Sequence, residues 1–141
     1  MTLDELISPI QGLLGVLERS GNQRVTIDAL TDDSRQVKPG CLFVAVQGER
    51  VDGHEFLEQV VKAGAAAVVV GRHVEVGSIP CIRVQDSRAT LGILGSRFYG
   101  DPSAALRLIG VTGTNGKTTT TYVVKTMLDA ANRQVGLIGT V

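Results

Sequence analysis

Tryptophan is absent, and aromatic residues make up only 4% of the 141 positions. That scarcity argues against the stacking platforms on which proteins hold single-stranded nucleic acid. An excess of one charge is lacking too, since Lys+Arg and Asp+Glu each number 14. A general nucleic-acid or membrane-surface binder needs a basic surplus, so neither partner is expected. No apolar run approaches the roughly 20 residues that cross a bilayer. The start, Met1-Thr2-Leu3-Asp4-Glu5, has no basic segment leading into an apolar stretch, and no signal peptide is expected. Cysteine occurs twice, with no CxxC and no Cys/His spacing suited to zinc. Cys41 and Cys81 lie in the runs Cys41-Leu42-Phe43-Val44 and Pro80-Cys81-Ile82 and read as buried, reduced thiols. A cytoplasmic monomer is the resulting expectation.

Hydrophobic residues, at 43%, are plentiful enough for a packed core, and 20% charge keeps it soluble. Residues 3–19 carry no firm punctuation beyond Pro9, which breaks any single long helix. Short apolar runs at 25–30, 41–46, 65–70 and 79–84 read as strands. Between the second and third of these, Phe56, Leu57, Val60 and Val61 recur at helical spacing across 54–63, with Gly64 as the stop. Strand, helix, strand with apolar strands implies a right-handed crossover and a partly parallel sheet. Asp86 or Ser87 can cap a helix running to about Tyr99, with Leu91, Leu94 and Phe98 on one face. The break Gly100-Asp101-Pro102-Ser103 follows it. Beyond lie a strand at 106–111, a Gly-rich loop at 112–116, a helix at 117–131 and a strand at 134–139. The fold class expected is α/β. A small domain with a mixed or parallel sheet (1–88) leads through a connecting helix and linker (89–104) into a second domain's first β–phosphate-loop–α–β unit (105–141).

The segment Gly110-Val111-Thr112-Gly113-Thr114-Asn115-Gly116-Lys117-Thr118-Thr119 bears the most chemistry. Glycines let backbone N–H groups turn inward around phosphate oxygens where a Cβ would clash. A helix opening there adds unpaired N–H donors and a positive dipole end. Lys117 can reach β- and γ-phosphates, and the Thr118 hydroxyl suits a magnesium ion. The generic pattern GxxxxGK[ST] requires glycine at 111, where this chain has Val111.

That departure leads to a family. Thr112-Gly113-Thr114-Asn115-Gly116-Lys117-Thr118-Thr119-Thr120 resembles the ATP-binding signature of the Mur ligases, which build the peptide of bacterial cell-wall precursors. Arg97-Phe98-Tyr99-Gly100-Asp101-Pro102-Ser103, with Leu106-Arg107-Leu108-Ile109-Gly110-Val111, resembles the branch that adds the third amino acid. Upstream, Asp33-Ser34-Arg35, Pro39-Gly40 and Leu42-Phe43-Val44-Ala45 resemble the UDP-binding domain of that branch and of the sibling acting next. Glu49-Arg50 stands where many members of the branch carry His-Gln, and Gly-Glu-Arg occurs in the sibling, which is therefore the runner-up.

The resemblance implies an ATP- and Mg2+-dependent amide-bond ligase acting on UDP-N-acetylmuramyl-dipeptide and an amino acid, through an acyl phosphate. It implies Lys117 as catalytic residue, Gly113, Thr114, Asn115, Gly116, Lys117, Thr118 and Thr119 on ATP, and Thr118 on magnesium. For the UDP-sugar it implies Asp32, Ser34, Glu49, Arg50 and Val51. The alternative for 32–34 is a polar turn that satisfies its own backbone. His54 and His73 show no partner in the sequence, and surface or capping roles are expected for both. Only 24 residues follow Lys117. The resemblance implies further domains, so no ligase activity is expected of these residues alone. A UDP-sugar-binding module without catalysis is the rival in a different class.

Overall fold

The computed structural model describes residues 1–49 and 51–139. The chain divides into two compact units, Met1–Ala105 and Leu106–Val141.

The first unit is built on five strands: β1 (Val16–Ser20), β2 (Ala29–Thr31), β3 (Cys41–Val44), β4 (Ala67–Val70) and β5 (Cys81–Val84). Their spatial order is β1-β5-β4-β3-β2. β2 through β5 run parallel, and β1 closes one edge antiparallel to β5. The sheet is therefore mixed, as the apolar runs imply. β3 and β4 are buried at every position, the signature of strands covered on both faces.

Alternation sorts their side chains into two cores. Leu42, Val44, Ala67, Val69, Ile82 and Val84 point to one face. There they meet α1 (Leu3–Ile7), α2 (Gln11–Leu14) and α4 (Ser87–Phe98) through Leu3, Leu6, Ile7, Leu14 and Leu94. Cys41, Phe43, Val68, Val70 and Cys81 point the other way, onto α3 (Leu57–Lys62) through Leu57 and Val60. Both cysteines are free and buried. Burial pushes the Cys41 thiol above its ordinary range and, with Glu18 nearby, takes Cys81 up to about 11.

The sequence left 3–19 unassigned, yet it forms α1, α2 and β1. Thr2 and Glu5 make a reciprocal capping box: Thr2 Oγ1 accepts the Glu5 N–H at 3.2 Å, and the Thr2 N–H donates to Glu5 Oε2 at 2.8 Å. Backbone bonds from Ile27 N to Met1 O (2.8 Å) and from Leu3 N to Val25 O (2.9 Å) tie the start of the chain to the segment leading into β2. Residues 16–20 then pair with β5, so the first twenty residues engage both ends of the sheet. Expected strand 25–30 is reduced to Ala29–Thr31 plus an isolated bridge at Thr26. The expected helix 54–63 divides into a 3-10 turn at Gly53–Phe56 and α3. Asp86 caps α4, accepting the Ala89 N–H at 2.9 Å, and Leu94 is fully buried in the first unit's core.

In the second unit the expected strands at 106–111 and 134–139 do not form; among the described residues its one long element is α5 (Lys117–Ala130). An apolar run becomes a strand only with a ladder partner and a covering layer. Here Leu106, Leu108, Ile109 and Ile138 are all exposed. What stands is the loop and the helix of the expected β–loop–α–β unit. No helix among the described residues is long and apolar enough to cross a membrane.

Candidate functional site

In parallel sheets, ligands collect outside the carboxyl ends of the strands. In the first unit those ends lead into residues 32–36 after β2, 45–53 after β3, 71–72 after β4 and 85–86 after β5.

After β2, Asp33 shapes a 3-10 turn at Ser34–Gln36. Its carboxylate accepts the Arg35 N–H at 3.0 Å and two guanidinium bonds from Arg35 at 2.9 and 2.8 Å. These bonds, the Arg35 side chain foremost, hold the Asp33 carboxyl far below the usual carboxylate range. The turn thus satisfies its own backbone through Asp33. Asp32 is exposed and Ser34 half-buried, and among the described residues neither side chain takes part in the turn's hydrogen bonds.

After β3 the chain makes a tight hairpin. Gln47 and Asp52 form an antiparallel bridge, and the Gly48 N–H donates to Val51 O at 2.9 Å. Glycine is required at 53, where a Cβ would stand 2.9 Å from Val46 N. Glu49 and Val51 are exposed at the tip; Arg50 lies outside the described residues.

His54 departs from its expectation. It is buried, with two partners: Nδ1 stands 2.6 Å from Asp52 Oδ1, and Nε2 accepts the Gly71 N–H at 3.0 Å. No sequence signal joins Gly71 to His54; the sheet brings them together. The Asp52 carboxyl is lowered, chiefly by the His54 backbone N–H it accepts. His73 is a surface residue, 3.8 Å from Glu18. An open groove of about 370 Å³ runs beside His54, lined also by Arg72, Gln85, Ser87 and Arg88, none of them a site residue expected from the sequence.

In the second unit, Gly116 caps α5 in the left-handed conformation (φ 75°), with no side chain bonded to the helix start and no acidic residue in the first turn. The positive end of the helix is left open to an anion. Lys117 Nζ folds back to donate to Gly113 O at 2.6 Å and reaches Thr114 O at 3.4 Å. Gly113, Thr114, Asn115, Thr118 and Thr119 are exposed around it. Among the described residues no group of three or more His, Cys, Asp or Glu side chains could hold a metal. A magnesium ion there would depend on the Thr118 hydroxyl together with phosphate oxygens and water. The exposed hydroxyl and open amide end fit such a metal–nucleotide pair.

The model of the Mur ligase family, catalytic domain, matches residues 26–99, just over half of the chain. The chain belongs to the Mur ligase family. That match covers most of the first unit's sheet and ends before the loop at 112–119. Among curated Mur ligases, a UDP-N-acetylmuramoyl-L-alanyl-D-glutamate--2,6-diaminopimelate ligase of Geobacillus thermodenitrificans is 48% identical over 141 residues, 100% of this chain and 28% of that protein. MurF from Acinetobacter baumannii has a solved structure with TM-score 0.66 and 33% identity, covering 92% of this chain and 27% of its own. MurF ligase from Thermotoga maritima, solved in complex with ADP, gives TM-score 0.53 and 30% identity over 75% of this chain and 24% of its own. The chain thus spans about a quarter of the length of the Mur ligases it matches.

Proposed function

We propose that these residues form the UDP-sugar-binding unit and the nucleotide loop of an ATP-dependent ligase that adds diaminopimelate to UDP-N-acetylmuramoyl-L-alanyl-D-glutamate. The observation that carries the reading is the start of α5, which no side chain caps, with Lys117 lying over a Gly-Thr-Asn-Gly loop. The curated relatives' names, over the whole of this chain, support the substrate and the choice of diaminopimelate. A cytoplasmic site suits a soluble nucleotide-linked precursor.

When bound, ATP with magnesium supplies the phosphoryl group that activates the substrate's terminal carboxylate. The chain's own residues bind and orient. The amides at 113–119 and the α5 dipole hold the phosphates. Lys117, released from Gly113 O and Thr114 O, neutralises the β/γ oxygens, and Thr118 offers its hydroxyl to the metal. Asp32 and Ser34, on the turn after β2, and Glu49 and Val51, at the tip of the hairpin after β3, contact the UDP-sugar together with Arg50.

In the ligase carrying this segment, Lys117→Ala abolishes product formation while affinity for UDP-N-acetylmuramyl-dipeptide stays within about twofold, because the change removes transition-state charge stabilisation only. Equal loss of both overturns the role given to Lys117. In the 141-residue chain, titration with UDP-N-acetylmuramyl-dipeptide gives saturable binding that UDP competes away; absence of binding overturns the substrate assignment.

A further inference from the structure

We infer that His54 is a positioning residue, a rigid link that locks the 47–52 hairpin to the end of β4 and so sets Glu49 and Val51 before ligand arrives. This rests on the UDP-sugar reading above.

The hydrogen bonds of the ring place its proton. Nε2 accepts the Gly71 N–H at 3.0 Å, so that nitrogen bears no proton. The neutral ring then carries its proton on Nδ1 and donates it to Asp52 Oδ1, 2.6 Å away. The same carboxylate accepts the His54 N–H at 3.0 Å and faces the Arg72 guanidinium at 3.2 Å. Asp52 is one foot of the hairpin, bridged to Gln47, the other. Gln47 is held separately: its carbonyl accepts from Arg88 Nη2, in the first turn of α4, at 3.0 Å.

Both feet of the hairpin are therefore anchored, one to β4 through His54 and one to α4 through Arg88, while the exposed tip is left to a ligand. A histidine that only filled the core would need no carboxylate partner, and one that only satisfied Gly71 would not reach the hairpin. An apolar side chain of the same volume could do neither. Fixing a binding loop from behind removes the ordering cost from the binding step.

The test uses His54→Phe in the 141-residue chain. It keeps the ring and removes both bonds. Affinity for UDP-N-acetylmuramyl-dipeptide falls about tenfold, and the amides of Gly48, Glu49 and Val51 exchange with solvent faster. Exchange at Phe43, Val44, Val68 and Val69 stays as in the parent, which a general loss of structure would not allow. His54→Gln, which returns an acceptor toward Gly71, recovers part of the affinity. In the parent, ring nitrogen NMR reports the Nδ1–H tautomer. Parent-like affinity in folded His54→Phe, or core exchange that accelerates in step with the affinity loss, overturns the proposal. If His54→Phe does not fold, Asp52→Asn, which preserves shape, is read against the same outcomes. A parent chain that binds no UDP-N-acetylmuramyl-dipeptide defeats the substrate reading instead, and hairpin exchange still decides whether His54 is the link.

Discussion

The two units put similar apolar content to opposite use. In Met1–Ala105, the side chains of β3, β4 and β5 alternate into two cores, and Phe43, Leu42, Val44, Val68 and Val69 are fully buried. In Leu106–Val141, α5 buries no residue, and Tyr122, Val123 and Met127 stand exposed. Burial, more than apolar composition, separates a self-supporting layer from a helix stabilised only by local bonds.

The largest test of that contrast is truncation of one large apolar side chain in each unit. Phe43→Ala costs about 3–5 kcal/mol of unfolding free energy, enough to threaten a small domain. Met127→Ala stays within about 0.5 kcal/mol. Urea unfolding of the two variants checks both; a comparable loss for Met127→Ala would mean that α5 has a packing partner. A smaller effect is expected at α4. Asp86→Ala removes a cap and costs about 1 kcal/mol, read by the same unfolding experiment.

A further effect, read against pH, comes from the thiols. Cys81 is raised in the fold from 9.0 to about 11. A raised thiol favours the protonated fold, so its stabilisation is complete below pH 9.0 and is lost as pH climbs toward 11. The unfolding free energy measured across that window declines in the parent and less in Cys81→Ala. At neutral pH both thiols react with a thiol reagent only as fast as the first unit opens.

What was legible in the sequence follows the same division between local and distant causes. The runs containing Leu42, Val69 and Ile82 announce strands because both of their faces are covered, and Arg83 is the one polar residue in them. A candidate phosphate loop could be proposed from the sequence because its motif lies within ten consecutive residues, 110–119. β1 was missed because its partner, Cys81 opposite Ser20, is far along the chain and its own side chains are largely exposed. α1 carried a signal, Thr2 followed by Glu5, that marks a helix start and was passed over. Residues 106–111 misled in the opposite sense, since Leu106, Leu108 and Ile109 look like a buried strand and nothing among the described residues covers them. His54 was unreadable as an anchor because Gly71 meets it only once β3 and β4 lie side by side.

The antiparallel edge has a consequence for biosynthesis. The strand Val16–Ser20 pairs, among the described residues, only with Cys81–Val84. A nascent chain therefore carries this strand unmated until more than sixty further residues have left the ribosome. β2, β3 and β4 can assemble in the order of their synthesis, whereas closure of the sheet is a late, long-range event. Such non-local pairing slows folding, and the charged residues Glu18 and Arg19 on that waiting strand oppose its association with other chains in the interval.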